Sequence, residues 1–145
     1  MKTNVAHILE YEIPLNGVKT DVAGLFNHNN FARSMPETKG NLSVQWKNDQ
    51  HSVYARLNYT SSYTNTRVVP ASTGLTDNID SFQTVDLQYR YNLEVGDGLT
   101  EFTLGLINAF DEEPPAVYDA ANFSYDPKHH DPRGRLFYIR GAYTF

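Results

Sequence analysis

A short run of imidazole and carboxylate side chains near the carboxyl end could bind a metal ion. Lys128-His129-His130-Asp131 closely follows Asp126, and imidazole nitrogens and carboxylate oxygens are common ligands of divalent metals. Adjacent histidines in an extended loop point in different directions, so His129 and His130 would share an ion only if the loop folded back or a third ligand approached. We therefore favour a solvated loop, and we expect no metal and no other cofactor.

Three consecutive carboxylates, Asp111-Glu112-Glu113, could supply a catalytic acid and base, but beside Pro114-Pro115 they more often mark an exposed strand end. The nucleophile elbow G-x-S-x-G does not occur. Gly96-Asp97-Gly98 lacks the further glycine and the helix of a nucleotide-binding loop, so it indicates a turn. With no Cys in the chain, thiolate zinc sites and cysteine nucleophiles are excluded. We expect that the protein is not an enzyme.

Three arginines, Arg56, Arg90 and Arg140, lie at polar positions of strand-like segments. They could line the path of a ligand. Alternatively, they could pair with carboxylates such as Asp86 and Glu101 and stiffen a sheet, and this second interpretation is favoured.

The elements that carry these residues follow the two-residue period of β-strands. Apolar and polar residues alternate in five segments: 41–47, 52–59, 84–93, 101–106 and 135–145. Short turns at Asn48–Gln50 and Gly96–Gly98 separate the first two pairs. Long polar loops are predicted for 61–81 and 112–134. The first forty residues indicate a strand at Ile8–Glu12, mostly loop at 14–40, and a short strand near 22–26.

Composition limits the classes of protein that this chain can form. Its 145 residues include 13% aromatics and carry a net charge of −5, so full disorder is not expected, and neither is a partner nucleic acid, which would require a basic surface. No apolar stretch approaches the ~18 residues of a spanning helix. A transmembrane β-strand needs only about 9–11 alternating residues, which agrees with the mean hydropathy of −0.52.

Two all-β architectures fit this alternation. One is an antiparallel up-and-down sheet of about six strands, part of a transmembrane β-barrel, with short periplasmic turns, long extracellular loops and a polar lumen facing Arg56, Asp86, Arg90 and Arg140. The other is a small soluble β-sandwich or lipocalin-like binding module, whose polar face is the wet exterior. The strict alternation of short and long connections favours the first.

The last strand and the residues before it carry a family resemblance. Phe145, Tyr143, Gly141, Ile139 and Phe137 form an aromatic-ended amphipathic strand that resembles the outer-membrane insertion signal read by the barrel-assembly machinery. The segment 106–115 contains Asn108, Phe110, Asp111 and Pro114, and it resembles the penultimate-strand motif of TonB-dependent outer-membrane receptors. The sequences 125–127 and 131–138 resemble the segment that leads into the final strand in that family.

The resemblance implies that residues 1–145 are the C-terminal portion of a receptor barrel, in the outer membrane of a Gram-negative bacterium. Such receptors have about 22 strands and a plugged lumen, so we expect the plug and most of the barrel to lie outside this sequence. The apolar run near Met1 is too short and too polar for a secretory signal, so we expect either a cytoplasmic chain or a piece with its export signal upstream.

The resemblance also implies the partners. They are outer-membrane lipid, the barrel-assembly machinery, the rest of the receptor chain and, only through the missing plug, the TonB protein. The implied function is TonB-dependent uptake of a scarce nutrient such as a siderophore, cobalamin or oligosaccharide.

Overall fold

The computed structural model of the chain describes residues 1–27, 33–118 and 124–145. Its strands are β1 (Lys2–His7), β2 (Glu12–Leu15), β3 (Val18–Asp21), β4 (Leu25–Asn27), β5 (Arg33–Ser34), β6 (Thr38–Asn48), β7 (His51–Thr60), β8 (Tyr63–Asn65), β9 (Asn78–Ile79), β10 (Phe82–Val95), β11 (Gly98–Ile107) and β12 (Leu136–Thr144). One turn of 3-10 helix covers Ala71–Thr73. Among the described residues, no helix has the length and apolar character needed to cross a membrane.

Six long strands form one antiparallel sheet in the order β1-β6-β7-β10-β11-β12. The predicted all-β, antiparallel, up-and-down architecture is therefore confirmed. In the part of the chain that the structure describes, the sheet stays open, and β1 and β12 are its two edges.

The register of the sheet places the two alternating sets of side chains on opposite faces. Leu42 pairs with Leu57, which pairs with Val85, and Leu87 pairs with Leu106, which pairs with Phe137. We call the surface that these residues share the apolar face. The other surface, here the polar face, carries Arg56 opposite Asp86 and Thr103 opposite Arg140.

The two ends of the sheet differ in their connections. At one end, the two-residue turns Asp49–Gln50 and Gly96–Asp97 join β6 to β7 and β10 to β11. Gly96 has φ +61 and Asp49 has φ +45, backbone conformations suited to tight hairpins. At the other end, three long connections leave the sheet, so the predicted alternation of short turns and long loops is confirmed.

The long connections pack together into a second layer of structure, which we call the cap and which comprises the described parts of 8–37, 61–81 and 108–135. It contains the β2–β3 hairpin and a small sheet of order β5-β4-β8-β9, in which β4 and β8 are parallel. Its hydrophobic core is formed by Phe26, Tyr63, Ile79 and Val117. The best-buried apolar side chains therefore lie in the cap, whereas the apolar face of the large sheet is exposed.

The first forty residues differ most from expectation. The strand predicted at Ile8–Glu12 is wrong, because the chain leaves β1 at His7 and re-enters a strand only at Glu12. The Ile8 amide instead donates to the Glu37 carbonyl. The turn between β2 and β3 is Asn16-Gly17, with φ +50 and +81, the dipeptide that favours a two-residue hairpin.

The two predicted long loops also need correction. Residues 61–81 include β8, β9 and the short 3-10 helix, which are too short to produce a recognisable period. The described parts of 112–134 contain no helix or strand, as predicted; residues 119–123 of that loop lie outside the described residues. Of the short strand expected near 22–26, only Leu25 and Phe26 lie in a strand, β4. The prediction of mostly loop at 14–40 is wrong, because most of the described residues there belong to β2, β3, β4, β5 and the start of β6.

Candidate binding cleft

A cleft of about 810 Å³ lies between the polar face of the sheet and the cap. Its floor is formed by residues from all six strands of the large sheet, and His129, Asp131 and Arg133 of the cap border it. The charged residues that line it are Lys39, Arg56, Asp86, Asp131 and Arg133. The cleft therefore brings together residues that are distant in the sequence, on the face predicted to be polar.

Lys39 and His129 connect the floor of the cleft to the cap. Lys39 Nζ lies 3.0 Å from His129 Nδ1, and His129 Nε2 lies 3.2 Å from the Ser34 carbonyl oxygen. An ammonium group only donates hydrogen bonds, so Nδ1 is the acceptor and Nε2 carries the proton that is donated to Ser34. Burial, the largest cause, lowers the pKa of His129, which favours this neutral form.

The prediction of a solvated loop around Asp126 and His130 is wrong. Asp126 is 1% exposed and His130 is 3% exposed. The Asp126 carboxylate accepts hydrogen bonds from the Tyr63 hydroxyl at 2.8 Å and from the Lys128 amide at 3.0 Å. His130 packs against the rings of Phe82 and Tyr63, with centroids 5.1 and 6.0 Å away.

The His130 ring is buried without a hydrogen bond at either nitrogen. Burial therefore lowers its pKa to about 4, although the nearby Asp126 charge acts in the opposite direction. Desolvation by burial, together with the charge and the hydrogen bond of the same carboxylate, raises the pKa of Tyr63. Asp126 is thus a structural acceptor at the centre of the cap, and His130 is held there as a neutral aromatic ring.

The weak metal candidates do not converge. Within the described ranges, no group of three or more histidine, cysteine or acidic side chains could hold a metal ion. His129 directs one nitrogen at the Lys39 ammonium and the other at a carbonyl, so neither faces a shared ion. The cap orders these residues by hydrogen bonding and packing.

The predicted arginines have three different environments on the polar face. Arg90 forms an ion pair with Glu101 at 3.2 Å, as the stiffening interpretation expects. Arg56 lies opposite Asp86 in register, yet Asp86 instead accepts hydrogen bonds from the Asn58 amide at 3.0 Å and the Asn108 backbone amide at 3.1 Å. Arg140 is exposed on β12.

The motif residues between β11 and β12 stabilise the exit from the sheet. Asn108, with φ +49 and 3% exposure, bonds through its side chain to the backbone carbonyl and amide of Glu112, both at 2.9 Å. Asp111 accepts a hydrogen bond from the Arg135 amide at 2.7 Å and faces the Arg135 guanidinium at 3.6 Å. Phe110 is exposed, and Pro114 is half-buried.

The residues of the predicted insertion signal lie on the apolar face, along edge strand β12 and at its end. Phe137, Ile139 and Tyr143 are 77%, 80% and 55% exposed, and Phe145 is fully exposed. Gly141 lies opposite Phe102 on the same face. None of the described segments covers this strand.

Two residues of the cleft and cap, Lys39 and Tyr63, do not stand out in the sequence. Lys39 could have been found by extending the alternation of β6 backward, since Asn41, Ser43 and Gln45 share its face. Tyr63 carries no local signal, because its partner Asp126 is remote in the chain.

Together, the fold and the cleft define an all-β protein in which an open antiparallel sheet has one exposed apolar face and one polar face roofed by a cap. No protein-family model, curated protein or solved structure matches the chain.

Proposed function

We propose that this chain is the C-terminal wall and loop portion of a TonB-dependent outer-membrane receptor, with its apolar face against lipid and its polar face toward the lumen. In the intact receptor, the cap residues lie on the extracellular side and the two-residue turns on the periplasmic side. The receptor takes up a scarce nutrient when the TonB system acts on the plug.

The exposed apolar face is the observation that carries the proposal. Large side chains are uncovered together on β6, β7, β10, β11 and β12; Trp46, Tyr89, Leu104 and Ile139, for example, are 53%, 38%, 52% and 80% exposed. A soluble sheet normally buries such a surface against another layer, and the described cap packs its own core elsewhere. Bilayer hydrocarbon is the solvent that this face suits.

The single tryptophan of the chain offers a direct test. Trp46 lies on the apolar face near the turns. We expect its fluorescence to be quenched strongly in vesicles of brominated phosphatidylcholine and weakly by iodide in the surrounding water.

A matched variant, Trp46→Phe combined with Gln45→Trp, moves the probe by one residue to the polar face, and the order of the two quenchers should then reverse. If the wild-type chain instead stays folded and monomeric in buffer without detergent, or if brominated lipid leaves Trp46 unquenched, the proposal fails.

A further inference from the structure

Two cations in the cleft have no carboxylate partner among the described residues. Arg56 is half-buried, forms no hydrogen bond or ion pair there, and its Nε is inaccessible and unpartnered. Lys39 is also half-buried and bonds to the neutral His129 ring, and the charge of Asp126 acts on it without a contacting ion pair. Withdrawing cations from water without a carboxylate in contact is costly, so this arrangement suits an anion that enters from solution.

The carboxylates that line the cleft are already engaged. Both oxygens of Asp86 accept hydrogen bonds, from Asn58 and Asn108. Asp131 is held by Arg133, whose guanidinium contacts both carboxylate oxygens at 2.6 to 3.1 Å. Asp126 does not line the cleft; it lies in the cap, where its oxygens accept hydrogen bonds from the Tyr63 hydroxyl and the Lys128 amide. The cleft lining holds three cations, Lys39, Arg56 and Arg133, against the two carboxylates Asp86 and Asp131, so it carries net positive charge in a chain whose total charge is −5.

The spacing of the two cations limits the ligand. Lys39 pairs with Thr60, and Arg56 lies four residues before Thr60 on β7, so their Cα atoms are roughly 13 Å apart along the strands at about 3.3 Å per residue. Long flexible side chains reduce the gap between the charged groups. The hydroxyl groups of Thr60 and Thr84 also line the cleft, whereas the Asn58 amide already donates to Thr84 and Asp86. One small molecule with two acidic groups can contact both cations.

We propose that the cleft is a binding site for a small polyvalent anion, with one acidic group held by Arg56 and another by Lys39. The site lies on the polar face beneath the cap. Its role in nutrient uptake rests on the proposed function, and it adds to that function the chemistry of the ligand. The lone-pair geometry of carboxylate and of phosphate suits both cations.

Calorimetric titration of the chain, folded in detergent micelles, tests this site with citrate and inorganic pyrophosphate as probes and glucose as the neutral control. We expect saturable binding of at least one anion, none of glucose, and weaker binding at high salt because the attraction is electrostatic. Binding of citrate alone indicates a carboxylate ligand, and binding of pyrophosphate alone indicates a phosphate ligand. Binding of both indicates recognition of charge, and each of these results supports the site.

Matched variants locate the binding. Arg56→Gln and Lys39→Gln should each weaken the affinity about tenfold, the effect of losing one charge-assisted contact. Arg140→Gln, which removes a cation from the same face outside the cleft, should leave it unchanged. Arg56→Lys retains the charge and should recover part of the affinity, which keeps the test valid if Arg56→Gln fails to fold.

Lack of binding of both anions to the wild-type chain, or equal weakening by Arg140→Gln, overturns the site. If the membrane proposal is wrong, the result is different, because the chain then folds in buffer without detergent. The same titrations, carried out in buffer, still decide whether the cleft binds anions.

Discussion

The neutral form of His130 is the one that the cap can bury, since both ring nitrogens lack partners and two aromatic rings pack against it. The titratable groups near it are Asp126, His129 and Lys39. Its pKa is about 4 in the folded chain against 6.5 for an ordinary histidine. Between these values the unfolded chain binds more protons than the folded one, so stability falls as the pH falls.

We therefore predict that His130 removes as much as about 3 kcal/mol from the free energy of unfolding as the pH drops from 7 to 4, with the loss complete below the folded-state pKa. Urea unfolding across this range, compared between the wild type and His130→Asn, measures the effect. The variant should show a shallower pH dependence than the wild type. Parallel curves for wild type and His130→Asn would refute the prediction.

The sequence identifies the polar residues of the site but not their environments. Alternation places Arg56, Asp86 and Arg140 on one face correctly. It does not reveal that Asp126 is buried, because that burial depends on Tyr63 from another connection. Nor does it show that Asn108 takes the place of Arg56 as a partner of Asp86. Contacts between remote segments decide both.

Strand β11 depends on a close contact between a glycine and a ring of the neighbouring strand. Gly105 pairs with Tyr138 on the polar face, and a Cβ added at Gly105 would overlap the Tyr138 ring. The ring therefore covers the glycine, as aromatic side chains do in sheets, and its hydroxyl lies 3.5 Å from Gln88 Oε1.

We predict that Gly105→Ala destabilises the chain by up to about 1 kcal/mol, because the added methyl group displaces the outer part of the exposed Tyr138 ring from its cross-strand contact. Gly141→Ala on β12 is the matched control, since no atom lies within 4 Å of its added Cβ. Chemical unfolding of both variants measures the difference. In the double variant Gly105→Ala, Tyr138→Ala the two effects should not add; strict additivity would show that the ring contact is not the cause.

Long strands are predictable here and short ones are not. The alternation of β6, β7, β10, β11 and β12 extends over nine residues or more, so their faces and turns follow from sequence. The strands β4, β5, β8 and β9 have two or three residues and are held by partners remote in the chain. The β2–β3 hairpin falls in the segment that we expected to be mostly loop, although its Asn16-Gly17 dipeptide is a hairpin signal that the sequence does contain.

At the scale of the whole molecule, the two faces of the sheet should respond differently to added charge. Leu104 lies near the middle of β11 on the apolar face and is 52% exposed, and Gln45 is exposed on the polar face of β6. On a face that contacts lipid, an arginine at the middle of the bilayer lowers the free energy of unfolding by about 2–4 kcal/mol. On a face that contacts water, an exposed substitution changes stability by only about 0.5 kcal/mol.

We predict that Leu104→Arg lowers the unfolding free energy in phosphatidylcholine vesicles by about 2–4 kcal/mol, whereas Gln45→Arg changes it little. Equilibrium unfolding of the vesicle-embedded chain by guanidinium measures both. A Leu104→Arg variant as stable as Gln45→Arg would mean that the apolar face contacts water.

The division between sheet and cap also determines the order in which the chain folds. The hairpins β6–β7 and β10–β11 each close over two residues, and such local contacts form quickly. The cap core joins Phe26 to Val117 and forms only when all three long connections meet. Because closing these long loops costs entropy, formation of the cap core is slower. We infer that the two hairpins form first, and that the strand pairs spanning the long connections and the roof of the cleft follow them.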